Sequence, residues 1–261
     1  MKTIKIGSHS IEQYESIEEL PMARYQKFNK YLLIDAGLGS DVEKFSEHAN
    51  RVAAYIRNSN SNLALKELRN MVQCVNLVMS EVSPAFMAFI ALVKSIDGEE
   101  VKDLSEEGIA ELTKKLSDLP VGSVFERLAE LKKKLESELM AYFPKLFSSS
   151  DEKEYFMLLR KRALVVAEQL QRNDLDYKSD ELQLLDDKIA TYNKPLDFSG
   201  EDSLEVKSDR QYHDGCIVVA TETNLDPTGL SVLGYYNALE YVQDKQKERR
   251  KHGNKVRRRD S

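Results

Sequence analysis

The chain has 261 residues, 41% apolar and 31% charged, with 11 Gly, 6 Pro and no Trp. That is enough apolar material for a core, and so little Gly and Pro beside abundant Leu, Glu and Lys favours helices over sheets. The net charge is −6, no run of about 18 apolar residues predicts a membrane span, and the opening MKTIKIGSHS lacks the apolar stretch of a signal peptide.

TIKIGSHSIEQYESI (3–17) alternates Ile4 and Ile6 before Gly-Ser turn chemistry, which predicts a small hairpin or an extended arm. Pro21 suits the first turn of a helix carrying Tyr25, Phe28 and Leu32, with Gly37 as its left-handed stop. Ser40 and Glu43 make a capping box for the next helix, where Val42, Phe45, Ala49, Val52, Ala53 and Ile56 share one face. After the polar break NSNSN, Leu65, Leu68, Val72, Val75, Met79 and Val82 recur at steps of three and four. Ser83-Pro84 starts AFMAFIALVKSI, which is apolar all round and therefore predicts a central core helix. A loop with room for one short strand follows at DGEEVKDL, and Ser105 caps the helix after it.

Ser123-x-x-Glu126 is a second capping box. Behind it Val124, Leu128, Leu131, Leu135, Leu139 and Tyr142 keep near-heptad spacing, which suits a coiled-coil seam or an intramolecular helical hairpin. Ser149-x-x-Glu152 opens a helix striped by Tyr155, Leu159, Ala163, Val166 and Leu170, and 179–192 makes one more. From 193 to 227 the chain turns polar and Gly/Asp/Ser-rich, and its β-branched GCIVVATET reads as a strand or buried extended piece. Ser231 then caps a last helix. The expected organisation is all-α: a bundle-like helical body over 1–192 with a short N-terminal hairpin or arm, an irregular arm or linker over 193–227, and a separable amphipathic helix with a basic tail over 228–261.

Motifs for chemistry are absent. A lone H-x-x-C (His213, Cys216) lacks the remaining ligands of a zinc site, and no Glu-x-x-His occurs. DAGLGSD has no Lys-Ser/Thr after its glycines and follows a helix, so it is not a phosphate loop. No catalytic, cofactor-binding or metal-ligating residue is assigned, and a non-enzymatic protein is expected. Cys74 and Cys216 are expected to be reduced thiols in a cytosolic protein.

The C-terminus carries the strongest asymmetry. Residues 245–261 hold nine Lys/Arg and two acids, so the net −6 divides into +7 there and −13 over residues 1–244. Arg249, Arg250, Lys251, Lys255, Arg257, Arg258 and Arg259 can meet phosphates without reading sequence, dock on an acidic protein surface, or only solubilise the end. Val232, Tyr235, Tyr236 and Leu239 give the last helix an apolar face at docking-helix spacing, fit for a partner's groove or for the protein's own core.

IEELPMARYQKFNKYLLIDAGLGSDVEKFSEHANRVAAYI (17–56) and SPAFMAFIALVKSIDG (83–98) resemble the N-terminal part of a group of uncharacterised tailed-bacteriophage proteins. LDPTGLSVLGYYNALEYVQDKQK (225–247) is similar to C-terminal segments of phage tail-morphogenesis proteins, where an L-x-P and an apolar-aromatic helix precede a charged end. The resemblance implies a virion component or tail-assembly factor without enzymatic activity or cofactor. Its partners would be other phage structural or tail proteins, and its place the host cytoplasm during assembly and the virion. The other class of function left open is a nucleic-acid-associated packaging or regulatory protein that uses the basic tail on phosphates.

Overall fold

The computed structural model describes residues 3–39, 41–79, 83–147, 152–192 and 194–257, without the side chains of Val42, Glu106, Phe147, 152–154, Thr191 and 250–257. Ten α-helices and one small antiparallel sheet make up the described residues, so the fold is all-α in character. The chain forms two compact units: 1–33, 84–146 and 205–261 make the first, and 34–83 and 147–204 the second.

In the first unit, strands β1 (Thr3–Ile6), β2 (His9–Gln13), β3 (Val93–Ile96) and β4 (Glu99–Glu100) lie in that order, all antiparallel. Ile4 pairs with Ile11 and Ile11 with Ile96, and a bulge falls between Glu12 and Gln13. The expected N-terminal hairpin is therefore the edge of a four-stranded sheet. The apolar run expected as one core helix splits into α4 (Pro84–Ala91) and β3. A run buried on every side has no periodicity to distinguish helix from strand. Arg24 on α1 (Met22–Gly37) is buried where they meet. Its guanidinium donates to the carbonyls of Ala91 (3.3 Å), Val93 (2.9 Å) and Val101, holding the end of α4 against the sheet.

Helix α5 (Glu106–Lys115) is capped by Ser105 as expected, its hydroxyl accepting from the Gly108 amide at 3.1 Å. Helix α6 (Val121–Tyr142) starts earlier than the Ser123 box, with Pro120 at the cap and no side-chain cap bond. Its seam Val124, Leu128, Leu131, Leu135 and Leu139 is at most 6% exposed. Tyr142, the last position of that spacing, is 53% exposed, and the other five are buried within the unit, where α6 meets α4.

The segment 193–227, expected to be irregular, carries a 20-residue helix, α9 (Leu204–Thr223). GCIVVATET lies inside it and is not a strand. Intrinsic preference against helix is only a few tenths of a kcal/mol for each β-branched residue, which packing overrides. Tyr212, Cys216 and Val219 share one helical face; Val219 is fully buried and the Tyr212 ring lies 6.2 Å from that of Tyr235. Gly215 fits because a Cβ there would strike the Tyr235 hydroxyl.

The last helix, α10 (Val232–Arg257), begins as part of this unit's core. Backbone bonds stitch its start to the N-terminal segment: Met22 N to Leu230 O, Val232 N to Leu20 O and Leu233 N to Ile17 O, each 2.9 Å. The Ser231 hydroxyl caps it, accepting from the Gly234 amide at 3.2 Å.

The second unit holds the end of α1, α2 (Val42–Arg57), α3 (Ser61–Met79), α7 (Glu152–Arg172) and α8 (Ser179–Tyr192). Helix α1 ends at Gly37, but the left-handed position expected there falls on Gly39, whose φ is +66°. Asp41 caps α2, accepting from the Lys44 amide at 2.8 Å; Ser40, expected in that role, lies outside the described residues, as does Ser149. Helices α7 and α8 form a second hairpin joined by Arg162 to Asp186 (2.5 Å) and by buried Gln169, which donates to the carbonyls of Leu175 and Tyr177. Part of the stripe expected on α7 faces water, Leu170 among it.

Candidate protein-interaction surface

Helices α2 and α3 run antiparallel, joined by residues 58–60. Tyr55 packs with Ala64 near the connection, His48 and Arg51 meet Glu67 midway, and Asp41 and Phe45 lie beside Cys74 and Met79 at the far end. The inner face of α3 is small and polar: its buried residues are Ala64, Glu67, Asn70 and Cys74. Each polar one is met. His48 Nδ1 lies 2.7 Å and Arg51 Nε 2.6 Å from Glu67 Oε1. His48 Nε2 lies 3.0 Å from the Leu38 carbonyl, which can only accept, so that nitrogen carries a proton. Asn70 donates to the Leu196 carbonyl at 2.9 Å. On the same side Tyr55 donates to the Ala190 carbonyl of α8 at 3.0 Å, and burial pushes its phenol up to about 12. A carboxylate, an imidazole and an amide buried together require this one orientation of α3, because any other rotation leaves them without partners.

That orientation turns the apolar stripe of α3 outward. Leu65, Leu68, Val72, Val75 and Met79 are 37 to 79% exposed, with Val78 beside them. The stripe follows the buried one by a single residue, a rotation of about 100° about the helix axis. The same holds on α2, where Phe45, Ala49, Val52 and Ile56 follow the inward-facing positions. In an antiparallel pair, equal advances along both chains turn both helices toward the same side. The two stripes therefore form one face of the hairpin, opposite the side that meets α8 and Leu196. Phe45 and Ile56 are exposed, as is Ala49, and Val52 is half-buried.

At one end the face opens into a cleft of about 250 Å³ between Asp41, Phe45, Cys74, Val75, Val78 and Met79. Burial and the nearby Asp41 charge raise the Cys74 thiol pKa, which disfavours its reactive thiolate. None of Phe45, Ala49, Val52, Ile56, Leu65, Leu68, Val72, Val75, Val78 and Met79 carries a polar side chain. A contiguous apolar face of this size is an interaction surface in the usual run of soluble proteins.

The surface expected from sequence lies elsewhere, on α10, and its apolar half is not free. Val232 is 0% and Tyr235 4% exposed, while Tyr236 and Leu239 are half-buried. The Tyr236 ring stands 5.4 Å from that of Phe143. The four residues close the core of their own unit, the other use of that face allowed by their spacing. In the basic part, Arg249 donates to Glu222 at 3.2 Å, and Lys245 reaches the same carboxylate at 3.1 Å. The Lys245 hydrogen bond and the nearby Arg249 charge lower the pKa of Glu222. The side chains of Arg250, Lys251, Lys255 and Arg257, and all of Arg258 and Arg259, lie outside what is described.

A second polar cluster sits at the turn ends of the sheet. His9 Nδ1 lies 2.7 Å from Asp97 and Nε2 3.4 Å from Asp118, and Ser8 donates to Asp118 at 2.7 Å. The hydrogen bond to Asp97 and the charges of both aspartates raise the His9 pKa. Both ring nitrogens are engaged and Ser8 bonds a carboxylate instead of the imidazole, so the arrangement lacks a serine–histidine pair for nucleophilic attack. Its work is to tie two turns and residue 118 together. His213 and Cys216 lie on α9, and among the described residues no group of three His, Cys, Asp or Glu is placed to hold a metal.

Among the described residues no single helix is long and apolar enough to cross a membrane. No family model matches the chain, and neither a curated protein nor a solved structure matches it.

Proposed function

We propose that this chain is a non-enzymatic assembly protein that works by protein–protein contact, with the open face of the α2–α3 hairpin as its contact surface. One observation carries the reading: a row of large apolar side chains on α3, with Phe45 and Ile56 of α2 beside it, stands in water on a hairpin whose inner side is fixed by buried polar bonds. Leaving them exposed forgoes on the order of 1 kcal/mol for each half-exposed side chain, a cost that a binding partner removes. The resemblance of 17–56, 83–98 and 225–247 to tailed-phage proteins supports a place in virion or tail assembly.

The test is native purification of the tagged full chain from cells producing the particle, beside a Leu68→Glu/Val72→Glu variant. Virion or tail proteins accompany the wild type and are lost from the variant. The reading fails if the same proteins accompany the variant, or if nuclease treatment strips them away, the latter favouring action through phosphates.

A further inference from the structure

The open face of the α2–α3 hairpin has the properties of a self-complementary surface. Its apolar residues follow a strict three–four alternation on both helices: 45, 49, 52, 56 on α2 and 65, 68, 72, 75, 79 on α3. Alternation of that kind packs against other helices at a shallow crossing angle, with ridges of one entering grooves of the other. A helical hairpin with one such face is half of a four-helix bundle.

Charge permits an identical occupant, and area suits one. A two-fold contact brings each residue near a copy of its own patch, so any net charge on the patch repels itself. The ten residues of this face are uncharged, although the chain as a whole carries −6. The helices are 16 and 19 residues long. At about 1.5 Å per residue and about 9 Å between axes, the face covers roughly 500 Å² on each copy. Two copies therefore bury roughly 1,000 Å² or more, the size at which specific interfaces begin. A bilayer is less well matched, because surface-lying helices flank their apolar face with clusters of Lys and Arg. Here Lys66 is held by Asp197 at 2.7 Å and Arg57 by Asp187 at 2.9 Å, and the outer flanks of the face otherwise carry Ser46, Asn50, Asn62, Arg69 and Asn76.

We infer that the α2–α3 face is covered by the same face of a second copy of this chain, giving a two-fold four-helix contact. This rests on the reading of the face as a protein-contact surface and names what fills it; the virion or tail proteins then meet the paired form, and losing the pair loses them.

The test is sedimentation of the full chain from about 1 to about 100 µM, a range that brackets the affinity expected of an interface this small. The wild type shifts from monomer to dimer as concentration rises. Leu68→Glu/Val72→Glu weakens the dimer at least about 100-fold, because association would bury two carboxylates from each copy. Leu68→Ser/Val72→Ser weakens it without added charge, so a loss in both variants is not charge repulsion alone. Leu164→Glu, on an exposed residue of α7 outside the face, leaves the dimer intact. Circular dichroism confirms that each variant is folded. A wild type that stays monomeric throughout, or a dimer indifferent to both double variants, overturns the second-copy occupant. If such a monomer still loses its co-purifying proteins on Leu68→Glu/Val72→Glu, the contact-surface reading stands without it. Binding to neutral phospholipid vesicles that the same substitutions abolish overturns both.

Discussion

Helices α6 and α3 carry nearly the same apolar code and meet opposite fates. On α6 the residues at 124, 128, 131, 135 and 139 are sealed in the first unit's core; on α3 those at 65, 68, 72, 75 and 79 face water. The difference lies on the remaining faces. The partly buried polar residues of α6 flank its seam: Arg127 donates to Gln13 at 3.0 Å and Glu138 accepts from the Ile17 amide at 2.9 Å while the leucines still turn inward. Helix α3 carries Glu67 and Asn70, which pair with His48, Arg51 and the Leu196 carbonyl only if they, and not the leucines, face the unit. Periodicity shows that a helix has an apolar face. The buried polar partners decide which face the protein keeps for itself.

The largest expected effect bears on that switch. Glu67→Ala leaves the His48 ring and the Arg51 guanidinium without their carboxylate and costs about 3–5 kcal/mol of stability, read by denaturant unfolding. A loss under about 1 kcal/mol would mean that the polar face does not set the orientation of α3. The helix comparison itself comes next. Leu131→Ala on α6 costs about 2–5 kcal/mol, whereas Leu68→Ala on α3 costs within about 0.5 kcal/mol in protein dilute enough to be monomeric. Equal costs would show that the chain covers both seams. Smaller again is the effect of Gly215→Ala on the packing of α9 against α10. It drives a methyl into the Tyr235 hydroxyl and destabilises by about 1–3 kcal/mol, against a gain of under about 1 kcal/mol expected for Gly→Ala in an open helix.

The smallest effect is electrostatic and belongs to the first unit alone. The His9 pKa is raised above its ordinary 6.5, so its contribution is complete below that value and fades as pH rises through the folded pKa. Asp97 and Asp118 are lowered from 3.8, the first mainly by the Ser10 amide and the second mainly by the Ser8 hydroxyl. Their contribution is present above that value and is lost as pH falls through their folded pKa values. The cluster therefore stabilises most between about pH 4 and pH 6.5. The gap in melting temperature between wild type and His9→Asn should be wider near about pH 5.5 than near about pH 8.5. A gap that grows with pH would contradict the assignment.

Much of this fold is legible in the residues. The helical stripes on α1, α2, α3 and α6, the cap at Ser105 and the Gly-Ser hairpin follow from spacing and turn chemistry. Two elements are not legible for stated reasons. AFMAFIALVKSI is buried on all sides, so no alternation marks where α4 yields to β3. GCIVVATET is β-branched, yet the helical spacing of Tyr212, Cys216 and Val219 and the bare Gly215 beside Tyr235 draw it into α9. The candidate surface was visible as a pattern and hidden as a surface. Leu65 to Met79 reads as a stripe from sequence, but its exposure depends on a buried Glu–His–Arg cluster formed by residues 16 to 19 positions apart. Conversely, Val232 and Tyr235 look like docking anchors until the backbone bonds to Ile17, Leu20 and Met22 place them in a core.

The most direct test of an open α3 seam beside a closed α6 seam is thiol accessibility. In a chain with Cys74 and Cys216 replaced by Ala, a cysteine is placed at Val72 or at Leu131 and its alkylation rate is followed across a dilution series. The account predicts fast labelling at 72 in dilute protein, slowing as concentration rises, and slow labelling at 131 at every concentration. Labelling at 72 as slow as at 131 in the most dilute sample would contradict it, because the chain's own residues would then cover the face.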